Sequence, residues 1–444
     1  MAVSMTRVRF APAPTGHLFL GSARVALANF LFARRTGGIM LLRLDDLDAE
    51  RCRPAHAEAM VQDLRWLGIE SDVTFRQSER ISLYQDAIER LKRDGFLYPC
   101  FESEEELKAK QEFRRKRGQP LIYDRAMLRL TEKQRQDAEA GGKRPHWRLK
   151  LSGRTLEWKD MVLGPRRASL ATVSDPIVAL SDGTPAAVIA SVIDDIDFGT
   201  THIIRGEDNA GNTAVQIELF EVIAGKSATV RFAHLPALTG GAPSGGRPIG
   251  SLSVRGLRGD GVEPAALATC LASGKGGDDG PLSLEQLAAS FELSSMAASR
   301  FDAPRLLAVN RRALARLDCA AVADRLPGGA TEAFWVAVRG HLDLLKEARG
   351  WWDVVTGSIV PPMMAEDRDV LLAAEATLPP EPWDGTVWSA WIAALEQETG
   401  LSGDALLLPL RLALTGEDSG PDLAGLLPLI GRARVASRLG FAVA

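Results

Sequence analysis

The chain of 444 residues is poor in cysteine, with four. Cys52, Cys100, Cys270 and Cys319 stand far apart with no CxxC pair. A structural zinc site needs about four ligands at short spacings, so no zinc is expected. Long apolar runs are missing too. No stretch approaches the roughly 18–20 apolar residues of a membrane span, and residues 1–16 (MAVSMTRVRFAPAPTG) lack the apolar core of a signal peptide. No membrane partner and a cytoplasmic location are therefore expected. Neither sign of charge dominates, since 53 Lys and Arg face 57 Asp and Glu, a net charge of −4. There is no internal repeat and no low-complexity tract. With 46% hydrophobic and 25% charged residues the chain is globular, which excludes wholesale disorder and fibrous repeats. At roughly 150 residues per domain, the length allows about three domains.

What is present is a local imbalance of charge. Residues 107–170, which include Arg114-Arg115-Lys116-Arg117, carry 18 Lys and Arg against 7 Asp and Glu; residues 341–444 carry 7 against 15. A solvated helical face accounts for either region. The basic one suits a polyanion equally well, because neutralised phosphates supply most non-specific nucleic-acid affinity.

The first fifty residues read as one unit. Residues 6–10 (TRVRF) form a short strand, and residues 11–21 (APAPTGHLFLG) a loop too rich in Pro and Gly for a regular helix. Residues 22–35 have helical composition, with Ser22 as N-cap and Gly37-Gly38 as the stop. Residues 39–44 (IMLLRL) are a buried strand ending in Asp45-Asp46-Leu47-Asp48, which completes a βαβ unit. Two amphipathic helices follow between residues 54 and 97. Residues 146–160 (HWRLKLSGRTLEWKD) alternate as a hairpin, and residues 186–193 (AAVIASVI) are expected to be another buried strand before Asp194-Asp195. A strand over 201–205 (THIIR) and a helix over 212–224 complete a second βαβ set; beyond about residue 300 the pattern is helical.

A Gly/Pro loop between a strand and a helix N-terminus offers unpaired N–H groups and the positive end of the helix dipole to an anion. Gly16 and Gly21 leave room for a phosphate or nucleobase beside the main chain. An ordinary tight βα connection explains the same loop. The literal residue string adds more. Arg9-Phe10-Ala11-Pro12-Ala13-Pro14-Thr15-Gly16 with Ala23-Arg24, then Arg43-Leu44-Asp45-Asp46-Leu47-Asp48 with Glu50-Arg51, resembles successive blocks of the glutamyl-tRNA synthetases, class I aminoacyl-tRNA synthetases. Arg76-Gln77-Ser78-Glu79-Arg80, the stretch from Asp194 to Asp208, and residues 410–416 (LRLALTG) continue the resemblance over essentially the whole chain.

This resemblance implies an α/β fold: a Rossmann-like parallel sheet split by an α+β insertion and followed by a helical anticodon-binding domain. The divisions expected are 1–97 and 186–240 for the halves of the catalytic domain, 98–185 for the basic acceptor-binding insertion, 241–310 for a stem-contact region, and 311–444 for the anticodon-binding domain. The implied activity joins L-glutamate to ATP as an adenylate and passes the glutamyl group to tRNA, with Mg2+ as cofactor. The partners implied are tRNA(Glu), with tRNA(Gln) as a second candidate, and the protein is expected to be a monomer. By motif position Arg9 and Arg205 bind the carboxylates of glutamate, Asp45 its ammonium, and Ala11, Ala13 and Ala187 line its pocket. Gly16, Gly21 and Asp208 meet ATP; Gly21, Ser22 and Arg247 serve the phosphates in the chemical step. Surface salt bridges for the two arginines and a capping role for Asp45 are the plain alternatives.

Departures from the pattern fall on the signature loops. Phe19 occupies the first histidine of the HIGH signature, Gly245-Gly246-Arg247-Pro248 stands at the lysine-rich KMSKS-like loop, Ala187 replaces a Tyr and Asn209 a His. One transition-state donor is typically worth roughly 10²–10³ in rate. A second reading is thus a catalytically impaired paralogue that binds tRNA or protein. The glutamyl-queuosine type of synthetase is set aside because it lacks the long C-terminal domain. Substituting Phe19→His together with a lysine-rich loop at 245–248 is expected to speed adenylate formation in a single-turnover assay; an unchanged rate would mean the motifs are misplaced.

Overall fold

The computed structural model describes residues 5–225, 230–239, 252–272, 280–296, 301–362 and 367–443. The KMSKS-like segment with Arg247 lies outside them. The chain opens β1 (Arg7–Phe10), α1 (Leu20–Arg35), β2 (Ile39–Leu44), α2 (Pro54–Trp66), β3 (Val73–Arg76) and α3 (Ile81–Arg93). The βαβ unit is as the periodicity implies. Strand β3 is not apparent from its four half-exposed residues, VTFR. Residue Ser22 does not cap α1: the helix starts at Leu20, with Phe19 as an N-cap that contributes no side-chain hydrogen bond. Its start is set from elsewhere in the chain. The Leu20 N–H donates to the Leu252 carbonyl at 3.1 Å, the Val254 N–H to Leu18 at 2.9 Å, and Phe19 forms a β-bridge with Ser253.

The insertion follows as β4 (Leu97–Cys100), α4 (Glu104–Lys116), α5 (Glu132–Ala140), β5 (His146–Leu149), β6 (Thr155–Asp160), β7 (Gly164–Ser169) and β8 (Ile177–Ala179). The expected hairpin over 146–160 is a correction. Strand β5 runs antiparallel between β4 and β8, and the hairpin is β6 with β7. The partner β7, GPRRAS, is polar and does not alternate, so its sequence hides it. Asp160 closes the turn by accepting from the N–H groups of Val162 (3.0 Å) and Leu163 (2.9 Å). Helices α4 and α5 bury no residue of their own, and each opens on a capping box, Ser103 with Glu106 and Thr131 with Gln134.

The sheet resumes after α6 (Ala187–Asp197) with β9 (His202–Gly206), α7 (Thr213–Ala224) and β10 (Arg231–Leu235). Helix α6 overturns the strand expected over 186–193. A short apolar run fits either element. Here the helix wins because it brings Ser191, Asp194 and Asp195 to one side, where a strand would point the two aspartates apart. The five strands run parallel in the order β10-β9-β1-β2-β3. Alternation then sorts their side chains. Val8, Phe10, Met40, Leu42, Leu44, Ile204 and Ala233 pack on one face with α1. Ile203 and Phe232 pack on the other with α6 and α7. Among the described residues no strand follows β10; the helix Ala303–Leu314 still packs into the core on the α1 face, and the helices after it enclose a separate core around the fully buried Trp335 and Trp391. No described helix is long and apolar enough to cross a membrane.

Within the insertion His146 is buried, and burial, followed by the nearby Arg148 charge, presses its imidazole down to about 4. Folded, it stays neutral at pH values where the unfolded residue binds a proton. Its contribution is therefore complete above about pH 6.5 and is lost as pH falls toward 4. Replacing His146→Phe is expected to flatten this part of the stability profile by up to about 3 kcal/mol, measured by urea unfolding across that range. An unaltered slope would contradict it.

Candidate active site

Strand parity puts four guanidinium groups on the sheet face covered by α6: Arg7 and Arg9 on β1, Arg43 on β2 and Arg205 on β9. Arg7 lies at the start of its strand and donates to the Phe198 carbonyl at 2.8 Å; the other three stand toward the C-terminal ends. Such groups are costly to bury unpaired. Helix α6 answers with carboxylates. Arg9 Nε donates to Asp195 Oδ1 at 3.0 Å, and Arg43 Nη1 reaches the same oxygen at 3.4 Å. Arg43 also donates to the carbonyl and the hydroxyl of Ser191, and its Nε holds Asp45 Oδ1 at 2.6 Å. Asp194, 1% exposed, accepts from Arg80 Nε (2.9 Å), Tyr84 Oη (2.9 Å) and Gln77 Nε2 (3.0 Å).

Arg205 has no carboxylate within salt-bridge distance among the described residues. Its Nε donates to His234 Nε2 (3.0 Å), Nη1 to Gln216 Oε1 (2.7 Å) and Nη2 to Thr213 Oγ1 (3.0 Å). Burial, reinforced by the like charge of Arg9, lowers its pKa to about 10, so it is still a cation at neutral pH. Arg9 spends only its Nε; its two Nη groups make no hydrogen bond among the described residues.

Both arginines open onto a cavity of about 900 Å³ at the C-terminal ends of the strands, where open parallel sheets bind ligands. Ala11, Gly21, Ser22, Asp45, Ala187 and Asp208 line it as well. Ala13 and Gly16 belong to the same loop but are not among the lining residues. Gly206 has a local reason: a Cβ there would stand 2.5 Å from Asp208 Oδ1, so the glycine lets Asp208 turn across the strand end. Arg24, Arg43, Ser191, Asn212 and Gln216 also reach the cavity and were not singled out from sequence. For Arg43 a signal existed, since it lies two residues before Asp45 and shares its strand face with Arg9. Phe19, 56% exposed, is not among the lining residues. Neither is His17, whose ring lies 6.0 Å from that of His56.

Residues 5–242 match the catalytic domain of the tRNA synthetases class I (E and Q), and residues 363–443 match an anticodon binding domain. The chain belongs to the class I tRNA synthetases. It is 55% identical to a Granulibacter bethesdensis protein named Glutamate--tRNA ligase 2, covering 98% of each chain. It is 54% identical to one of the same name from Acidiphilium cryptum, covering 98% of this chain and 99% of that one. A glutamate tRNA ligase structure from Elizabethkingia meningosepticum, in complex with its amino acid, shares the fold at TM-score 0.81 and 23% identity, covering 99% of both chains. The synthetase fold therefore carries the cavity at the place expected from its strand order.

Asp194 is the most heavily shared of the buried acids. Its replacement, Asp194→Ala, leaves Tyr84 and Gln77 without their acceptor and Arg80 with Asp197 only. It is expected to cost about 3–5 kcal/mol in equilibrium unfolding; a loss under about 1 kcal/mol would show that the cluster does not hold α6 to α3 and the turn before it.

Proposed function

We propose that this synthetase condenses L-glutamate with ATP and delivers the glutamyl group to tRNA. The observation that carries the reading is the half-buried cation of Arg205, with no carboxylate in salt-bridge distance among the described residues, facing the same cavity as the free Nη groups of Arg9. A dicarboxylic amino acid supplies the missing anions. Guanidinium suits them better than ammonium does, since its paired N–H groups match the two oxygens of a carboxylate. Asp45, held by Arg43 at the cavity wall, keeps lone pairs for the substrate ammonium. Gly21, Ser22 and the N-terminus of α1 face the phosphates, and Asp208 the nucleoside. Arg247 adds a cation for pyrophosphate.

In the first step a carboxylate oxygen of glutamate attacks the α-phosphorus of ATP and pyrophosphate leaves. In the second a hydroxyl of the terminal tRNA ribose attacks the acyl carbon and AMP leaves. The residues named orient the reactants and balance charge. Mg2+ is expected to accompany the nucleotide; among the described residues no three His, Cys, Asp or Glu side chains gather as a metal cage, so none is assigned to it. The basic insertion and the helical region after residue 310 are the surfaces proposed for tRNA, with tRNA(Glu) the first acceptor to test and tRNA(Gln) the second. A monomer in the cytoplasm fits this reading. Neither the fold nor the relatives supply an observation in favour of an impaired paralogue.

The test is glutamate-dependent pyrophosphate exchange and aminoacylation by the wild type and Arg205→Met. Loss of a two-pronged charged contact is expected to lower kcat/KM for glutamate by about 10²–10³-fold with little change in KM for ATP. Equal activity in the two proteins would remove the basis of the reading.

A further inference from the structure

We propose that Asp160 and His234 are positioning residues that aim Arg205 and thereby let the site accept a carboxylate and refuse the matching carboxamide. This rests on the reading of Arg205 as the carboxylate-binding group. The inference comes from the direction of each hydrogen bond. A guanidinium can only donate, so His234 Nε2, 3.0 Å from Arg205 Nε, must accept. The imidazole proton then sits on Nδ1, which lies 2.5 Å from Asp160 Oδ2 and donates to it. Asp160 Oδ1 accepts from the N–H groups of Val162, Leu163 and His234 itself, the last at 3.2 Å. Burial opposes ionisation of Asp160, but these hydrogen bonds, that of the imidazole foremost, hold its carboxyl below the usual carboxylate range. His234, Asp160 and Thr213 are buried to within 1% of full exclusion. No water competes, and each group is left one orientation.

The consequence falls on Arg205. Three of its five N–H groups are spent on His234, Gln216 and Thr213, which leaves one on each Nη. That pair suits the two oxygens of a carboxylate. A carboxamide would present its own NH2 to one of them and bring no charge. The aim is set from outside the nucleotide-binding sheet. Asp160 belongs to the β6–β7 hairpin, which docks on the edge strand β10 through the Met161 N–H donating to the Phe232 carbonyl at 2.9 Å. His234 is the register partner of Arg205 on β10.

The experiment uses the full-length protein with ATP and glutamate or glutamine in pyrophosphate exchange. Asp160→Asn keeps the volume but turns a donor toward His234 Nδ1, which moves the imidazole proton to Nε2, against the Arg205 N–H. KM for glutamate is expected to rise tenfold or more, the preference for glutamate over glutamine to fall, and KM for ATP to stay within twofold. His234→Gln, which can offer an amide oxygen to Arg205 and an NH2 to Asp160, is expected to retain most of the glutamate affinity; His234→Phe is not. A 15N-histidine spectrum of the wild type, assigned with His234→Gln, should show the Nδ1–H tautomer at His234, and Asp160→Asn the other. A wild-type Nε2–H tautomer, or an unchanged KM and amide discrimination in a folded Asp160→Asn, overturns the proposal. If Arg205→Met loses glutamate use while Asp160→Asn does not, the relay alone fails. If Arg205→Met is also without effect, the reading of Arg205 fails with it.

Discussion

The architecture turns on an unequal match of buried charge. Toward its C-terminal end, one face of a parallel sheet carries three guanidinium groups, and the helix laid across it returns two carboxylates, Asp194 and Asp195, while Asp45 answers Arg43 from the loop. Buried ion pairs contribute little net stability for their desolvation, but they fix geometry, because any other register leaves a charge stranded. Helix α6 is held in one place for that reason. The third, Arg205, is solvated among the described residues by neutral acceptors, His234, Gln216 and Thr213. The folded protein thus keeps a charge that a bound anion can complete.

The surroundings of that charge explain why the insertion interrupts the sheet at the point it does. Its hairpin covers the open edge of β10 and sends Asp160 beneath His234. Edge strands left bare invite pairing with other chains, so this covering serves the fold and the site together. Helices α4 and α5 bury nothing of themselves and turn charges of both signs to solvent. The acidic C-terminal helices stand on a core of their own, built around Trp335 and Trp391. They therefore do not share the hydrophobic support of the catalytic sheet.

How much of this was legible from sequence differs element by element. The β1–α1–β2 unit was readable because its apolar periodicity, its Pro/Gly loop and its Gly stop are all local signals. Strand β3 was not, since four half-exposed residues carry too little pattern. The run 186–193 was misread because apolar residues in a short stretch do not separate strand from helix, and the deciding contacts come from Arg43, about 150 positions earlier. The hairpin was misplaced by one strand, because β5 alternates well while the true partner β7 is polar. Arg9, Asp45, Arg205 and Asp208 were named from motif position, and all four line one cavity. Gln216, Thr213 and His234, which hold Arg205, carry no motif of their own.

The residue order alone determined the family resemblance, the parallel βαβ core and the identities of the charged groups at its strand ends, because these depend on neighbours within a turn or a strand. Only the tertiary structure decided which of those charges are satisfied. Net charge is a sum over the chain, whereas neutralisation requires two groups within about 4 Å. That distance exists only once β1, β2, β9 and α6 have come together. Of Arg9, Arg43 and Arg205, it is Arg205 that this packing leaves without a carboxylate within salt-bridge distance among the described residues.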